Sequence, residues 1–402
     1  MSKVISSENK IRKVLEKGVE KIYPSKKALE KKLRSGKRIR LYCGFDPSAP
    51  NLHIGNAIQI RKLAQFQKLG HEVIFLIGDF TGRIGDPTGK LSARKQLNVK
   101  QIKVNLKNYK KQASKILSFS GKNPAKIKYN SKWNDKLKFS KLIKLASNFT
   151  VGQIIARDMF QKRIKQNKPI YLHEFLYPLA QAYDSVAMNV DLEIGGNDQT
   201  FNMLCGRQLI KDLKKKEKFV LTTKLLVDPL GKKMGKTEGN IISLNENPKE
   251  MYGKIMSWPD SLIIPGFELC TDLSLEKVQD LQKQIKNKEI NPRKAKAKLA
   301  KEITSIHYTK TTAQKAEKEF NRIFREKKEP TKLREYKLKN ITNIINVIIG
   351  AGLAQSKSEA KRLIKQGGVK VNGKVIKSWE DEVKIKQKSI LQVGKRKFVK
   401  LI

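Results

Sequence analysis

The chain has 402 residues and a formal net charge of +49, from 86 Lys and Arg against 37 Asp and Glu. No apolar run approaches the ~18 residues of a transmembrane helix, residues 1–8 contain no apolar stretch of the signal-peptide kind, and three distant cysteines make neither a disulfide framework nor a zinc site. A reducing cytosol is the default that remains, and the charge is compatible with a polyanionic partner, although an excess of Lys over Arg arises as readily from composition on solvated faces.

Residues 1–40 read as a basic helical lead-in, with Val14, Leu15 and Val19 as a thin apolar face. Next comes the stretch around which the rest is organised. It opens with Tyr42-Cys43-Gly44-Phe45-Asp46-Pro47-Ser48, continues through a helical segment and the apolar run 73–77, and ends in Thr81-Gly82-Arg83-Ile84-Gly85-Asp86-Pro87-Thr88-Gly89-Lys90. Strand, polar loop, helix, strand, polar loop is a βαβ unit, with both loops at the carboxyl ends of strands, where open α/β sheets bind ligands. The β-branched run 73–77 suits a parallel strand buried on both faces. Between the strands, Ala57, Ile60, Leu63, Ala64 and Leu69 recur at helical spacing and Gly70 stops the helix. Asn51 or the His53-Ile54-Gly55 turn starts it, and a helix start offers free N–H groups to a phosphate.

Residues 91–133 are mostly helical and lysine-rich, with a turn and strand within 123–130. Residues 140–167 are helical, with an apolar face through Leu142, Leu145, Phe149, Ile154 and Ile155. Pro178 is expected in the first turn of the following helix, where Tyr177, Gln181 and Asp184 stand at i, i+4 and i+7 and share a face. Residues 191–199 are a short strand running into a glycine-rich polar turn, and 219–227 form another strand. Residues 231–240 are a glycine- and lysine-rich loop with few apolar residues, expected to be mobile. A polar helical region covers 246–330, with Ser274 and Asn291-Pro292 as helix starts, and 327–339 read as a charged linker. The last 61 residues form a separate unit with 14 Lys and Arg against 4 Asp and Glu. There Ser356 with Glu359 makes a capping box, Gly367-Gly368 ends the helix and 369–371 open a strand.

Two short motifs carry a resemblance. His53-Ile54-Gly55-Asn56 is similar to the HIGH signature of class I aminoacyl-tRNA synthetases, and Lys233-Met234-Gly235-Lys236-Thr237, 180 residues later, is similar to their KMSKS signature. The surrounding sequence resembles the bacterial type of tyrosyl-tRNA synthetase over nearly the whole chain, and the C-terminal unit resembles the S4 RNA-binding domain. The resemblance implies a Rossmann-like parallel-sheet α/β catalytic domain (1–225), a mobile signature loop (226–240), a helical anticodon-side domain (241–330), a linker (331–341) and an α+β S4-like domain (342–402). It also implies a cytoplasmic homodimer that joins L-tyrosine to tRNA(Tyr), with ATP and its Mg2+ as co-substrate and neither a prosthetic group nor a protein-bound metal.

Such a reaction proceeds through tyrosyl-adenylate and needs no protein nucleophile. It needs two anions aligned and the charge developing on phosphate neutralised. By resemblance, His53, Gly55 and Asn56 contact ATP, and Asn56, where the signature has a second His, donates a hydrogen bond rather than a proton. Lys233, Met234, Lys236 and Thr237 close over the pyrophosphate, with Gly235 and Thr237 in place of two serines, and Lys90 and Arg94 are further cations on that side. Tyr42 and Asp184 hydrogen-bond the substrate phenol. Tyr177, Gln181 and Asp86 hold the α-ammonium, with Thr81 and Asn130 behind them, and Gln199 lies on the carboxylate side. Cys43, Gly196 and Asp198 contact ribose, and Gly44, Asp46 and Ser48 complete the ATP site. Lys357, Lys361, Arg362 and Lys365 form the RNA-binding face. Without the resemblance, His53 and Asn56 are a helix-start pair, residues 231–240 a solvated basic loop, and Tyr183 a core residue. Two alternatives are tryptophan as the amino acid, against which the Tyr42/Asp184 pair and the S4-like unit argue, and an S4-type RNA-binding protein on an inactive synthetase core, against which intact His53, Asp184, Lys233 and Lys236 argue.

Overall fold

The structure is a computed structural model that describes residues 3–89, 92, 96–227, 241–326, 333–338, 343–380, 388–394 and 397–402. The chain divides into two compact units, Met1–Ala313 and Gln314–Ile402.

The first unit is built on a six-stranded sheet: β1 (Val19–Tyr23), β2 (Arg40–Phe45), β3 (Glu72–Ile77), β4 (Lys126–Tyr129), β5 (Leu192–Gly196) and β6 (Phe219–Thr223). The spatial order is β1-β6-β5-β2-β3-β4, parallel except for β1 against β6. The chain runs outward from β2 through β3 to β4, then returns to β5 on the other side of β2. The β2/β5 boundary is therefore the switch point where such sheets open a crevice. Strand alternation covers both faces. Leu41, Cys43, Phe45, Val73, Phe75 and Ile77 belong to one core cluster with Leu63 and Phe66 of the helix Ile54–Lys68. Tyr42, Ile74 and Leu76 belong to another, with Ala182 and Val186 of the helix Leu172–Met188 and Leu209 and Ile210 of the helix Thr200–Lys214.

Several local expectations hold. His53 is the N-cap of its helix, Ser274 accepts from Lys277 N–H, and Asn291 accepts from Arg293 N–H with Pro292 in the first turn. Four expectations are corrected. Residues 1–40 are not wholly helical: Val19 opens β1 between the helices Glu8–Glu16 and Lys26–Arg34, because the outer edge of β6 takes a pairing strand. Pro178 is not in a first turn but inside Leu172–Met188. That helix starts earlier because the Glu174 carboxylate accepts from Tyr171 N–H at 3.0 Å and pairs with buried Arg163. Residues 140–167 fall into three helices, broken where Thr150 and Gln153 form a new capping box. The strand expected over 219–227 stops at Thr223.

The second unit holds a five-stranded sheet: β7 (Arg334–Tyr336), β8 (Val369–Val371), β9 (Lys374–Val375), β10 (Ile390–Val393) and β11 (Lys397–Leu401), in the order β7-β11-β10-β8-β9. The helices Ile344–Gly350 and Lys357–Lys365 pack their apolar faces into its core. Asn372 and Gly373, both with positive φ, make the two-residue turn between β8 and β9. Arg334–Tyr336, inside the stretch expected to be linker, is an edge strand parallel to β11. Ser356 caps its helix as expected, but Glu359 accepts from Gln355 N–H at 2.7 Å, so the box is not reciprocal.

Candidate active site

Hydrogen bonds link several of the expected residues near the β2/β5 boundary. On β2, Gly44 is exposed while Cys43 and Phe45 are buried, so backbone is open to a ligand at the switch point. Tyr42, two residues earlier, is buried opposite Glu193 of β5. Its hydroxyl lies 2.9 Å from Ser185 Oγ. Ser185 donates to Glu193 Oε2 at 3.3 Å, Gln181 Nε2 donates to Glu193 Oε1 at 3.0 Å, and Glu193 is ion-paired with Lys218. Burial pulls the Lys218 ammonium down and Glu193 opposes that pull.

Asp184 is buried near enough for its charge to act on Tyr42, and its carboxylate is held by other groups. Trp133 Nε1 (2.7 Å) and Asn134 Nδ2 (3.1 Å) donate to Oδ1, and Asn130 Nδ2 (3.1 Å) donates to Oδ2. Asn130 also donates to Thr81 Oγ1 and accepts from Phe80 N–H, so it joins Thr81 to Asp184. Asp46 accepts from Thr81 Oγ1 at 2.7 Å and from the Tyr177 hydroxyl at 2.8 Å. Asp86 accepts from Thr88 N–H and Oγ1 and from Gln199 Nε2 at 2.7 Å, and buried Arg157 braces Thr88 at 2.8 Å. Gly196 lies close to Asp198: a Cβ there would stand 2.5 Å from Asp198 Oδ1. Ser48 is exposed beyond β2. Cys43 is not brought to this group; it packs in the core on the opposite face from Tyr42, where burial pushes its thiol far up.

The first signature works as a helix cap. His53 Nδ1 accepts from Gly55 N–H at 3.1 Å, and Asn56 Oδ1 accepts from His53 N–H at 3.0 Å. An imidazole whose Nδ1 accepts carries its proton on Nε2, so Nε2–H is a donor. Asn56, with Oδ1 used by the cap, has its amide N–H2 to donate. Leu52, His53 and Ile54 pair with residues 242–244: Ile54 N–H donates to Ile242 O at 2.9 Å and Leu244 N–H to Leu52 O at 2.8 Å. In the sequence Ile242 comes five residues after Thr237. Lys90, Arg94, Lys233, Met234, Lys236 and Thr237 lie outside the described residues. Among the described residues, no group of His, Cys, Asp or Glu could hold a metal ion. In the second unit, Lys357, Lys361, Arg362 and Lys365 are all exposed on one helix, and Lys361 and Lys365 approach the Trp379 ring within 6 Å.

Sequence reasoning missed Ser185, Glu193, Lys218, Trp133, Asn134 and Arg157. Only Glu193 carried a signal, as a charge between Leu192 and Ile194 in a buried strand. Lys218 is masked by the run Lys214-Lys215-Lys216 just before it.

Residues 34–325 match the family model "tRNA synthetases class I (W and Y)", and residues 346–387 match the S4 domain. A tyrosine–tRNA ligase of Carboxydothermus hydrogenoformans is 44% identical, over 97% of this chain and 97% of its own length. Tyrosine–tRNA ligase 2 of Clostridium acetobutylicum is 43% identical, over 97% of this chain and 98% of its own. The chain belongs to the tyrosyl-tRNA synthetase family. Among solved structures, a C-terminally truncated mitochondrial tyrosyl-tRNA synthetase of Aspergillus nidulans shares the synthetase fold, with a TM-score of 0.65 and 23% identity over 78% of this chain and 94% of that one. One from Archaeoglobus fulgidus, complexed with L-tyrosine, gives a TM-score of 0.60 at 20% identity over 77% of this chain and 99% of that one. Exposed Gly44 and buried Tyr42 both lie on β2, at the β2/β5 boundary of the sheet.

Proposed function

We propose that the protein is a tyrosine–tRNA ligase: it activates L-tyrosine with MgATP to tyrosyl-adenylate and pyrophosphate, then passes tyrosine to the terminal ribose of tRNA(Tyr) in the cytosol. The observation that carries the reading is that Tyr42, at the switch point, and Asp184, whose charge acts on it, are both buried. A phenol completes these polar groups, and phenylalanine would leave them unpaired. Gln181, whose N–H2 is taken by Glu193, turns its oxygen to the α-ammonium beside Asp86 and Tyr177. His53 Nε2–H, the Asn56 amide and the N-terminus of their 15-residue helix donate to ATP phosphate. Lys90, Arg94, Lys233, Lys236 and Thr237 serve the pyrophosphate, and Gly44, Asp46, Ser48, Gly196 and Asp198 the nucleotide. ATP–pyrophosphate exchange with each of the twenty amino acids tests the assignment. Dependence on tyrosine supports it, dependence on tryptophan reassigns the pocket, and no exchange leaves an RNA-binding protein.

The exposed cations of Lys357–Lys365 supply the sequence-independent part of tRNA binding. A chain ending after Glu326, before β7, is expected to make tyrosyl-adenylate at the full rate and to charge tRNA poorly, because every adenylation residue precedes Asn240. Full charging by the truncated chain, measured by acylation of tRNA(Tyr), would deprive the C-terminal unit of this role.

Homodimerisation has support in an apolar surface. Phe139, Ile143, Val151 and Leu172 are 76%, 56%, 67% and 77% exposed on neighbouring helices of one layer. A monomer rarely leaves such a group facing water. The double variant Phe139→Asp, Leu172→Asp is expected to sediment as a monomer at concentrations where the parent is a dimer. An unchanged dimer would place the interface elsewhere.

A further inference from the structure

Two carboxylates stand at the floor of the pocket, and one cation serves them. Glu193 has Lys218, and it also accepts from Ser185 and Gln181. Asp184 is 2% exposed and accepts only neutral N–H groups, from Trp133, Asn130 and Asn134; among the described residues no cation is within hydrogen-bond reach of it. When two nearby buried carboxyl groups compete for one charge partner, the unpaired one is the one kept neutral.

Hydrogen-bond direction points the same way. Ser185 has one proton and gives it to Glu193, so across the 2.9 Å contact Tyr42 must be the donor and Ser185 the acceptor. The Tyr42 oxygen then faces the pocket as an acceptor only. A charged Asp184 would also be an acceptor only. The substrate phenol has one proton and could satisfy just one of them, leaving its oxygen against the lone pairs of the other. A neutral Asp184 removes the conflict. Its Oδ1 accepts from Trp133 and Asn134, and Oδ2 accepts from Asn130 and still has an O–H to donate.

Building on the tyrosine-site reading, we propose that Asp184 enters the complex as a neutral acid at the head of a one-way chain. Asp184 O–H donates to the phenol oxygen, the phenol O–H to Tyr42, Tyr42 to Ser185, and Ser185 to Glu193, whose charge Lys218 holds. Ser185, Glu193 and Lys218 are thus positioning residues that fix the direction of Tyr42. Burial independently pushes the Asp184 carboxyl up to about 8; the bonds from Trp133, Asn130 and Asn134 pull it down and the charge of Glu193 pushes it up. The titratable groups facing it are Tyr42 of β2, Glu193 of β5 and Lys218 just before β6.

The sign follows from the proton count. Tyrosine binds the protonated form, so selectivity is full below the pKa of Asp184 and is lost above it. The measurement is the ratio of kcat/KM for tyrosine to that for phenylalanine in pyrophosphate exchange between pH 6 and 9, with the full-length protein. The ratio cancels titration of the shared α-ammonium and of the ATP site. It should be level at low pH and fall towards about tenfold per unit above that pKa. Ser185→Ala frees Tyr42 to donate to the phenol, lets Asp184 accept as a carboxylate, and should abolish or invert the fall. A parent ratio that is flat or rises with pH overturns the proposal, as does an unchanged fall in folded Ser185→Ala. Tyrosine exchange with the wrong pH trend leaves the site reading standing, whereas no tyrosine exchange at any pH removes both.

Discussion

Replacing Lys233 or Lys236 by alanine should slow tyrosyl-adenylate formation by orders of magnitude while leaving tyrosine affinity, measured without ATP, nearly unchanged. Both lysines precede residues 242–244 by a few positions in the sequence, and those residues pair with His53 and Ile54 of the first signature. Lysine is a point charge on a flexible stem, suited to phosphates that separate during reaction. An interaction made mainly in the transition state appears in the rate and little in ground-state affinity. Losing one such charge removes ~3 kcal/mol or more of stabilisation, which is ~100-fold in rate. Tyr42 and Asp184, proposed above for the other substrate, are untouched. If the loop instead supplied general RNA-binding charge, adenylation would be normal and a defect would appear only with tRNA. Single-turnover adenylation at the parent rate in the double alanine variant would decide for that view.

Gly78→Ala should be the most damaging one-atom change to the tyrosine side. A Cβ at Gly78 would stand 2.0 Å from Asp46 Oδ1 and 2.5 Å from Thr81 Oγ1. The Asp46 carboxylate cannot yield freely, because Thr81 and Tyr177 both donate to it. Moving it strands two hydroxyls and disturbs Asn130, which bridges Thr81 to Asp184. Losing two such bonds costs about 2–4 kcal/mol, so the urea midpoint should fall and KM for tyrosine should rise at least ~10-fold, as when a reacting group is misplaced. Gly121→Ala is the control: its φ of +84° strains alanine, but no atom lies within 4 Å. That variant should lose about 1 kcal/mol and keep its KM. A parent-like midpoint and tyrosine KM in Gly78→Ala would mean that Asp46 is not locked in place.

The catalytic βαβ unit was legible because its signals are local. The helix starts at His53, Ser274, Asn291 and Ser356 each depend on residues within three positions, and helices do start at all four, with His53 rather than Asn51 at the first and a one-sided cap at the last. The one-face alignment of Tyr177, Gln181 and Asp184 survived the correction at Pro178, because the helix runs unbroken through that residue. The N-terminal strand was not legible. Residues 19–23 are a strand only because β6, some 200 positions away, presents an edge to them.

What the sequence determined alone is the family, the order of elements and the residue types that line the crevice, since periodicity, caps and motifs are properties of neighbours along the chain. Only the tertiary structure decided which partners those residues meet and how deeply each is buried. Glu193 meets Lys218 across 25 positions, and Asp184 meets Trp133, Asn134 and Asn130 across 50 to 54. Protonation and donor direction follow from burial and from the nearest partner, and both are fixed only when distant segments pack together.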